Sequence, residues 1–187
     1  MRKRRREAGQ ALFEFGVMLP FLLALILGVV EFSYALYQVQ VITNLGREGS
    51  NLISRNTTIA DAETALTAAV TTGPVRLGTT KVIFSVITLG SGGSNANQAI
   101  IIQRHSAGGL TAQSRLGNPA QTAYGASPDY RANDANNDAS IRVTGALPNG
   151  LTLSAGDFVY VTEVFSTRAQ IMPYLPLPST LYSAAYF

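Results

Sequence analysis

A chain of 187 residues is long enough for one folded domain with a hydrophobic core and short for two such domains. It contains no cysteine, which excludes disulfides, thiolate catalysis and cysteine-ligated metal centres. The net charge of +3 comes from one short segment, because residues 2–6 hold five of the fourteen basic residues and with Glu7 carry +4. The remaining chain carries −1 and offers no basic surface for nucleic acid.

The first predicted element is a membrane-spanning helix. Residues 15–30 form an uncharged apolar run, FGVMLPFLLALILGVV. As a helix this run spans about 24 Å at ~1.5 Å per residue, and flanking apolar residues extend it enough to cross a hydrocarbon core of about 30 Å. The basic residues before it place the N-terminus in the cytoplasm and the chain after residue 36 outside. We therefore expect a single-pass protein of the inner membrane.

The helical pattern continues beyond the membrane. Apolar residues recur at spacings of three, four and seven from Tyr34 to Leu52, which predicts that the helix ends near Arg55. Thr58 and Asp61 have the spacing of a capping box. They predict a second, short helix that ends near residues 73–74, Gly-Pro.

After the second helix, runs rich in β-branched and aromatic residues predict strands at residues 81–89, 99–104, 140–144 and 157–166. The expected fold class is α+β: a long transmembrane helix that continues outside the membrane, a short second helix and a small antiparallel β-sheet packed on the helix. Residues 105–139 are dominated by Gly, Ala, Ser, Asn and Asp. We expect them to form a long, mobile surface excursion that adds little to a core.

The residues that point to function precede the apolar run, in the order Gly9-Gln10-Ala11-Leu12-Phe13-Glu14-Phe15. A glycine follows the basic residues, a carboxylate stands five positions after it, and an aromatic residue stands at the sixth. Glycine lets a peptidase approach the backbone closely because it has no Cβ. A carboxylate in an apolar segment is unfavourable unless it is paired, faces protein or lies at the membrane interface.

This motif resembles the processing site of type IV prepilins of the Flp and Tad class. Further positions make the chain similar to the TadE-like family of minor pilins (pseudopilins): Glu31-Phe32, Asn44, Arg47-Glu48-Gly49, Val159-Tyr160-Val161, Pro173, Leu175 and Pro176. The resemblance covers both ends of the chain and hardly touches residues 90–140.

The resemblance implies a precursor with a basic leader at residues 1–9, a transmembrane and assembly helix at 10–55, and an extracytoplasmic domain at 56–187. A prepilin peptidase would cut between Gly9 and Gln10. The implied function is that of a structural subunit for a Tad/Flp-type adhesive pilus, not an enzyme, with no cofactor. The implied partners are other pilin and pseudopilin subunits, the peptidase, an inner-membrane assembly platform and the lipid bilayer.

The resemblance gives an assembly role to Glu14, Phe15 and Glu31. In type IV pilins the corresponding glutamate pairs with the N-terminal amine of a neighbouring subunit, and cleavage would create that amine on Gln10, with a pKa near ~8. Alternatively, Glu14 is an interfacial residue that extends toward the lipid headgroups. Glu31 marks either the periplasmic interface or a packing contact within a filament.

Two other functions stay open. Residues 33–35, Ser-Tyr-Ala, have the small-x-small pattern of a signal-peptidase site, so the alternative function is a secreted or membrane-anchored binding domain cut after Ala35. A membrane-attached hydrolase would need a convergent set of acidic and serine residues. No nucleophile motif such as G-x-S-x-G supports that function.

Two local patterns are interpreted without a functional role. Residues 134–138 have the oxygen spacing of a calcium loop, but Ala139 and Gly145 stand where the turn glycine and the bidentate glutamate belong. A polar turn is expected there, and no metal site. His105, the single histidine, is expected on a solvated polar loop.

Overall fold

The computed structural model describes residues 2–70, 75–148, 151–172 and 178–187. The described elements are two α-helices and four strands: α1 (Arg2–Ser54), α2 (Ile59–Val70), β1 (Thr80–Leu89), β2 (Ala99–Ala107), β3 (Phe158–Thr167) and β4 (Thr180–Tyr186). The chain divides into two compact units. One comprises residues 1–37 and 169–177, and the other comprises residues 38–168 and 178–187. The predicted α+β fold class is confirmed, because a long apolar N-terminal helix and a short helix precede an antiparallel sheet.

The turn between the two helices is fixed by local hydrogen bonds. Asn56 adopts the left-handed conformation with φ 67°, and the Thr57 N–H donates to the Leu52 carbonyl at 3.3 Å, as in a Schellman cap. At the start of α2 the Thr58 hydroxyl donates to Asp61 Oδ2 at 2.7 Å and accepts from the Asp61 N–H at 3.1 Å. Thr58 therefore caps α2 at the position that the sequence predicts, although Asp61 bonds to its hydroxyl rather than to its backbone N–H as in a complete capping box. The predicted end of α2 at residues 73–74 lies outside the described residues.

The sheet has the strand order β2-β1-β3-β4, and all its pairs are antiparallel. The central strands β1 and β3 are joined through β2 and the long segment at residues 108–157. Because side chains alternate along a strand, the sheet has two different faces. Val82 and Phe84 lie on one face, while Ile83, Ser85 and Ile87 lie on the other.

One face of the sheet packs on the helices of the same unit. Its core combines the last part of α1, one side of α2 and the central strands, with these buried residues: Ile42, Leu45, Ile53, Ile59, Ala62, Leu66, Val70, Val75, Val82, Phe84 and Val164. Ser50 adds a polar contact, because its hydroxyl donates to the Ala185 carbonyl of β4 at 2.9 Å. The last part of α1 is thus a core helix of this domain.

The opposite face of the sheet is covered by the segment between β2 and β3. Its core consists of Ile87, Ile100, Ile101, Leu116, Tyr124, Ile141, Val159 and Val161. Leu116 and Tyr124 come from residues 105–139, which we call the excursion. The expectation that the excursion adds little to a core is therefore wrong: its scattered apolar residues meet on one sheet face.

Three further features differ from the expectations. Residues 140–144 do not form a strand: Ala139–Ile141 is a short 3-10 helix, and its Ile141 side chain belongs to the core. Strand β4 replaces it as the fourth strand of the sheet. His105 lies in β2 and not on a loop. Its Nε2 atom lies 3.1 Å from Glu63 Oε2, and its ring stacks on that of Tyr130 with the centroids 3.9 Å apart.

The N-terminal helix as a candidate membrane and assembly site

The first half of α1 presents an apolar surface that no described part of the chain covers. Between residues 12 and 36 its large side chains are mostly exposed, including Leu12, Phe13, Met18 and Phe21. Among the described residues one helix, Leu12–Ser54, is long and apolar enough to cross a membrane. Its most apolar window has a mean hydropathy of 2.3 with no residue buried. Since burying an apolar side chain contributes roughly 1.5–3 kcal/mol, a surface of this kind needs lipid or other helices around it.

The peptide bond between Gly9 and Gln10 lies inside the regular helix, because α1 begins at Arg2. The Gln10 Nε2 atom donates to Glu14 Oε1, one helical turn further along, at 3.0 Å, and both side chains are exposed. This contact follows from the i, i+4 spacing, which places both residues on the same side of a helix. The structure thus places Gln10, of the predicted processing site, beside Glu14, one of the predicted assembly residues.

Phe15 follows Glu14 and is 63% exposed. It belongs to the apolar surface described above rather than to the core of either unit. Pro20 lies inside α1 without ending it. Because proline has no N–H, the Gly16 carbonyl lacks its usual helical donor, which membrane helices tolerate.

Glu31 occupies a different environment from Glu14. It is only 1% exposed, and its Oε2 accepts hydrogen bonds from the backbone N–H groups of Ile171 at 2.8 Å and Met172 at 3.0 Å. These three residues belong to the same compact unit. Hydrogen bonds to a carboxylate contribute more than neutral ones, roughly 1.5–3 kcal/mol each. Glu31 therefore fixes the chain after β3 to α1, a contact between residues 140 positions apart that no local sequence pattern could reveal.

Residues 9–51 match a protein-family model described as TadE-like protein. The N-terminal segment is TadE-like. The match begins at Gly9 and includes Gln10, Glu14, Phe15 and Glu31, so the family resemblance is confirmed over this part of the chain. A search of curated proteins and a search of solved structures each gave no match.

The TadE-like segment indicates a protein associated with the Tad pilus, and its apolar helix fits a single-pass membrane anchor. The TadE-like family is a structural, pilus-associated family, which indicates interaction with other pilus components. The C-terminal positions Pro173, Leu175 and Pro176 lie outside the described residues.

The TadE-like segment also includes the helix positions that touch the sheet. A Cβ added to Gly49 would lie 2.8 Å from the Cγ2 and Oγ1 atoms of Thr162 in β3, and 3.1 Å from a methyl group of Leu66. Both neighbours are buried, and Thr162 is β-branched and therefore stiff. Gly49 thus allows the helix to approach the sheet closely.

One serine–carboxylate pair outside the TadE-like segment bears on the hydrolase alternative. The Ser114 hydroxyl donates to Glu163 Oε2, while Glu163 Oε1 accepts from the Arg115 N–H at 2.9 Å and from the Tyr182 hydroxyl at 3.1 Å. Burial, and then the Glu163 charge, raise the pKa of Tyr182, so its hydroxyl keeps the proton that it donates. Ser114 and Glu163 are both buried, and the histidine of the chain lies at the other sheet face. The pair therefore attaches the excursion to β3 and gives no support to a hydrolase.

The carboxylates of residues 134–138, which have the spacing of a calcium loop, accept hydrogen bonds from nearby backbone N–H groups. Asp134 Oδ1 accepts from the N–H groups of Asn136 at 3.1 Å and Asn137 at 2.9 Å, and Asp138 Oδ1 accepts from Ser140 at 2.8 Å. These bonds form the polar turns that the sequence predicts. Within the described ranges no group of three or more His, Asp or Glu side chains could hold a metal ion.

Proposed function

We propose that this protein is a minor pilin (pseudopilin) of a Tad/Flp-type adhesive pilus. It is made as a precursor, cut by a prepilin peptidase after Gly9, and held in the inner membrane by its N-terminal helix with the C-terminal domain outside. The single observation that carries the proposal is the TadE-like match, which begins at Gly9 and includes the exposed apolar helix.

The proposed mechanism is assembly. The assembly platform moves the mature subunit so that the apolar side of α1 leaves lipid for a bundle of similar helices. This exchange changes hydrophobic burial little, since one apolar environment replaces another, so packing and polar contacts must supply the specificity. The exposed Phe15 supplies apolar contact area at the start of that helix.

Glu14 is the polar contact that we assign to assembly. Cleavage turns Gln10 into the first residue, and its new amine is cationic at neutral pH because the pKa of an α-amino group is near ~8. In the precursor, the Glu14 carboxylate accepts a hydrogen bond from the neutral side-chain amide of Gln10, and from no other residue in the part of the chain that the structure describes. Its exposed carboxylate is therefore accessible to the amine of an adjacent subunit.

The proposal is tested by the N-terminus of the mature protein. When the full chain is co-expressed with a prepilin peptidase, we expect N-terminal sequencing and intact mass to give Gln10 as the first residue. Gly9→Leu should abolish the cut because bulk at that position blocks the peptidase. Gly16→Leu is the matched control and should still be cut, since no atom lies within 4 Å of a Cβ added at Gly16.

A mature protein that begins at Leu36 would instead establish the alternative, a secreted binding domain. Retention of the leader in the presence of an active peptidase that cuts a second pilin in the same cells would contradict the processing step.

A further inference from the structure

Strand β4 forms one edge of the sheet and has backbone groups without partners on its outer side. Tyr160 and Phe187 exchange two backbone hydrogen bonds, at 2.8 and 3.0 Å. In an antiparallel pair the bonded residues alternate, so Tyr182 and Ala184 direct their N–H and C=O groups away from β3. Within the described part of the chain no hydrogen bond reaches these outward groups.

The other edge of the sheet, β2, is covered. Residues of the excursion bond to its outward backbone groups: the Ala132 N–H donates to the Ile102 carbonyl at 2.7 Å, and the Arg104 N–H donates to the Tyr130 carbonyl at 3.1 Å. The fold therefore protects one sheet edge with its own chain and leaves β4 open.

The open edge also lacks the features that prevent strand pairing. The β4 sequence TLYSAAY has no charged residue and no proline, and its pairing with β3 has a continuous register. Soluble folds usually protect such an edge with lysine, proline or a bulge.

A groove of about 520 Å³ runs beside the open edge. It is lined by Tyr182, Tyr186, Leu147, Pro148 and Arg115. The guanidinium of Arg115 lies 3.8 Å from the centroid of the Tyr182 ring, is exposed, and forms no ion pair with a carboxylate in the part of the chain that the structure describes. The groove therefore combines aromatic and aliphatic walls with an available positive charge.

We propose that β4 and this groove bind an extended segment of a partner protein, which adds to the sheet as a fifth strand and places an acidic side chain against Arg115. The outward N–H and C=O groups of β4 have the alternating order that another polypeptide strand satisfies. Alternate side chains of that strand enter the groove, and Arg115 selects a carboxylate among them. This surface lies outside the TadE-like segment, and its test does not depend on leader cleavage.

The test is a selection of random nine-residue peptides displayed on phage against the full chain in detergent micelles. We expect the selected peptides to contain an acidic residue together with alternating apolar residues. One selected peptide, labelled with fluorescein, then gives a Kd by fluorescence anisotropy.

Two variants separate the backbone and the charge contributions. Ala184→Pro removes an outward N–H that has no partner in the free protein, so the sheet is retained while peptide binding falls at least tenfold. Arg115→Glu should lower the affinity of the acidic peptide at least tenfold and favour a peptide whose acid is replaced by lysine. Arg131→Glu, at an exposed arginine of the opposite edge, is the matched control and should leave the Kd unchanged.

Hydrogen exchange of the wild-type protein provides a readout that does not depend on any variant. The Tyr182 and Ala184 amides should exchange at least tenfold more slowly when the peptide is bound. The proposal is overturned if no peptide is enriched on the wild-type chain, or if these amides exchange at the same rate with and without a bound peptide. It is equally overturned if a folded Ala184→Pro variant binds as wild type does.

Discussion

In the proposed function, Glu14 and Gln10 have different roles before and after cleavage. Before cleavage, Glu14 accepts from the Gln10 side chain within one helix turn. After cleavage, a cationic amine at Gln10 needs a carboxylate when it is buried in a bundle of helices, because an unpaired charge in a low-dielectric surrounding is strongly unfavourable. Under this proposal we expect the Glu14 side chain to matter little for membrane insertion and more for assembly.

We predict that Glu14→Gln leaves the precursor made, inserted and cut but reduces the mature protein in sheared pili at least tenfold relative to the membrane fraction. Quantitative immunoblots of the two fractions measure this ratio. Glu48→Gln makes the same chemical change at another exposed position of α1 and should assemble as wild type does. If Glu14→Gln enters pili as efficiently as that control, Glu14 is an interfacial residue and not an assembly residue.

Gly49 gives a prediction about stability. Gly49→Ala places a Cβ 2.8 Å from two atoms of the buried, stiff Thr162 side chain, so the helix must move away from the sheet. We expect the free energy of unfolding to fall by about 1–3 kcal/mol, as for other overpacked sites. Gly78→Ala is the control, because nothing lies within 4 Å of a Cβ there. Denaturant unfolding of the full chain in detergent, followed by circular dichroism, measures both; equal stability of the two variants would contradict the close contact.

At the scale of elements, the last part of α1, α2 and three of the four strands follow from sequence periodicity, because each buries one side against a neighbour. The first half of α1 follows instead from its uncharged apolar run. The fourth strand, Thr180–Tyr186, is missed because its Ser183-Ala184-Ala185 centre lacks β-branched residues. Contacts with distant residues hold it in place, namely its pairing with β3 and the Ser50 hydroxyl bond to the Ala185 carbonyl. The prediction of a strand at residues 140–144 is wrong. The β-branched Ile141 fills a core position from a short 3-10 helix and does not lie in a strand.

The contacts of the candidate site also differ in whether the sequence could predict them. The Gln10–Glu14 contact could be predicted because helix geometry determines it from a spacing of four. The bonds of Glu31 to Ile171 and of Glu163 to Ser114 could not be predicted, since these partners lie 140 and 49 positions away and nothing in the sequence near either glutamate identifies them.

The excursion gives a prediction at this scale because it behaves as a core layer. Leu116→Ala removes a side chain that is 1% exposed, and we expect the free energy of unfolding to fall by about 2–5 kcal/mol. Leu110→Ala makes the same change at a partly exposed position outside either core, and it should lower the free energy of unfolding much less. The two variants are compared by denaturant unfolding; a loss below about 1 kcal/mol for Leu116→Ala would show that the excursion covers the sheet without stabilising it.

At the scale of the whole molecule, the charge pattern predicts orientation. Five basic residues precede the apolar part of α1, so the residues after it should be translocated out of the cytoplasm. Alkaline phosphatase fused after Arg55 should be active in a Gram-negative host, whereas a fusion after Gly9 should be inactive. Equal amounts of both fusions on immunoblots make the comparison valid. A stable but inactive fusion after Arg55 would mean that the orientation is reversed.

The order of strands also determines when the domain can fold. The two central strands pair only after the ribosome has made β3, about 70 residues beyond the end of β1, and the sheet is complete only with β4. Contacts between residues so distant in sequence form slowly, because closing a long loop costs entropy before any pairing is gained. During this interval β1, with its run VIFSVITL, can pair with β2 but has no partner at its other edge. A nascent chain of this protein is therefore most prone to aggregation between the synthesis of β1 and that of β3, when a chaperone that binds extended apolar segments would have the most to protect.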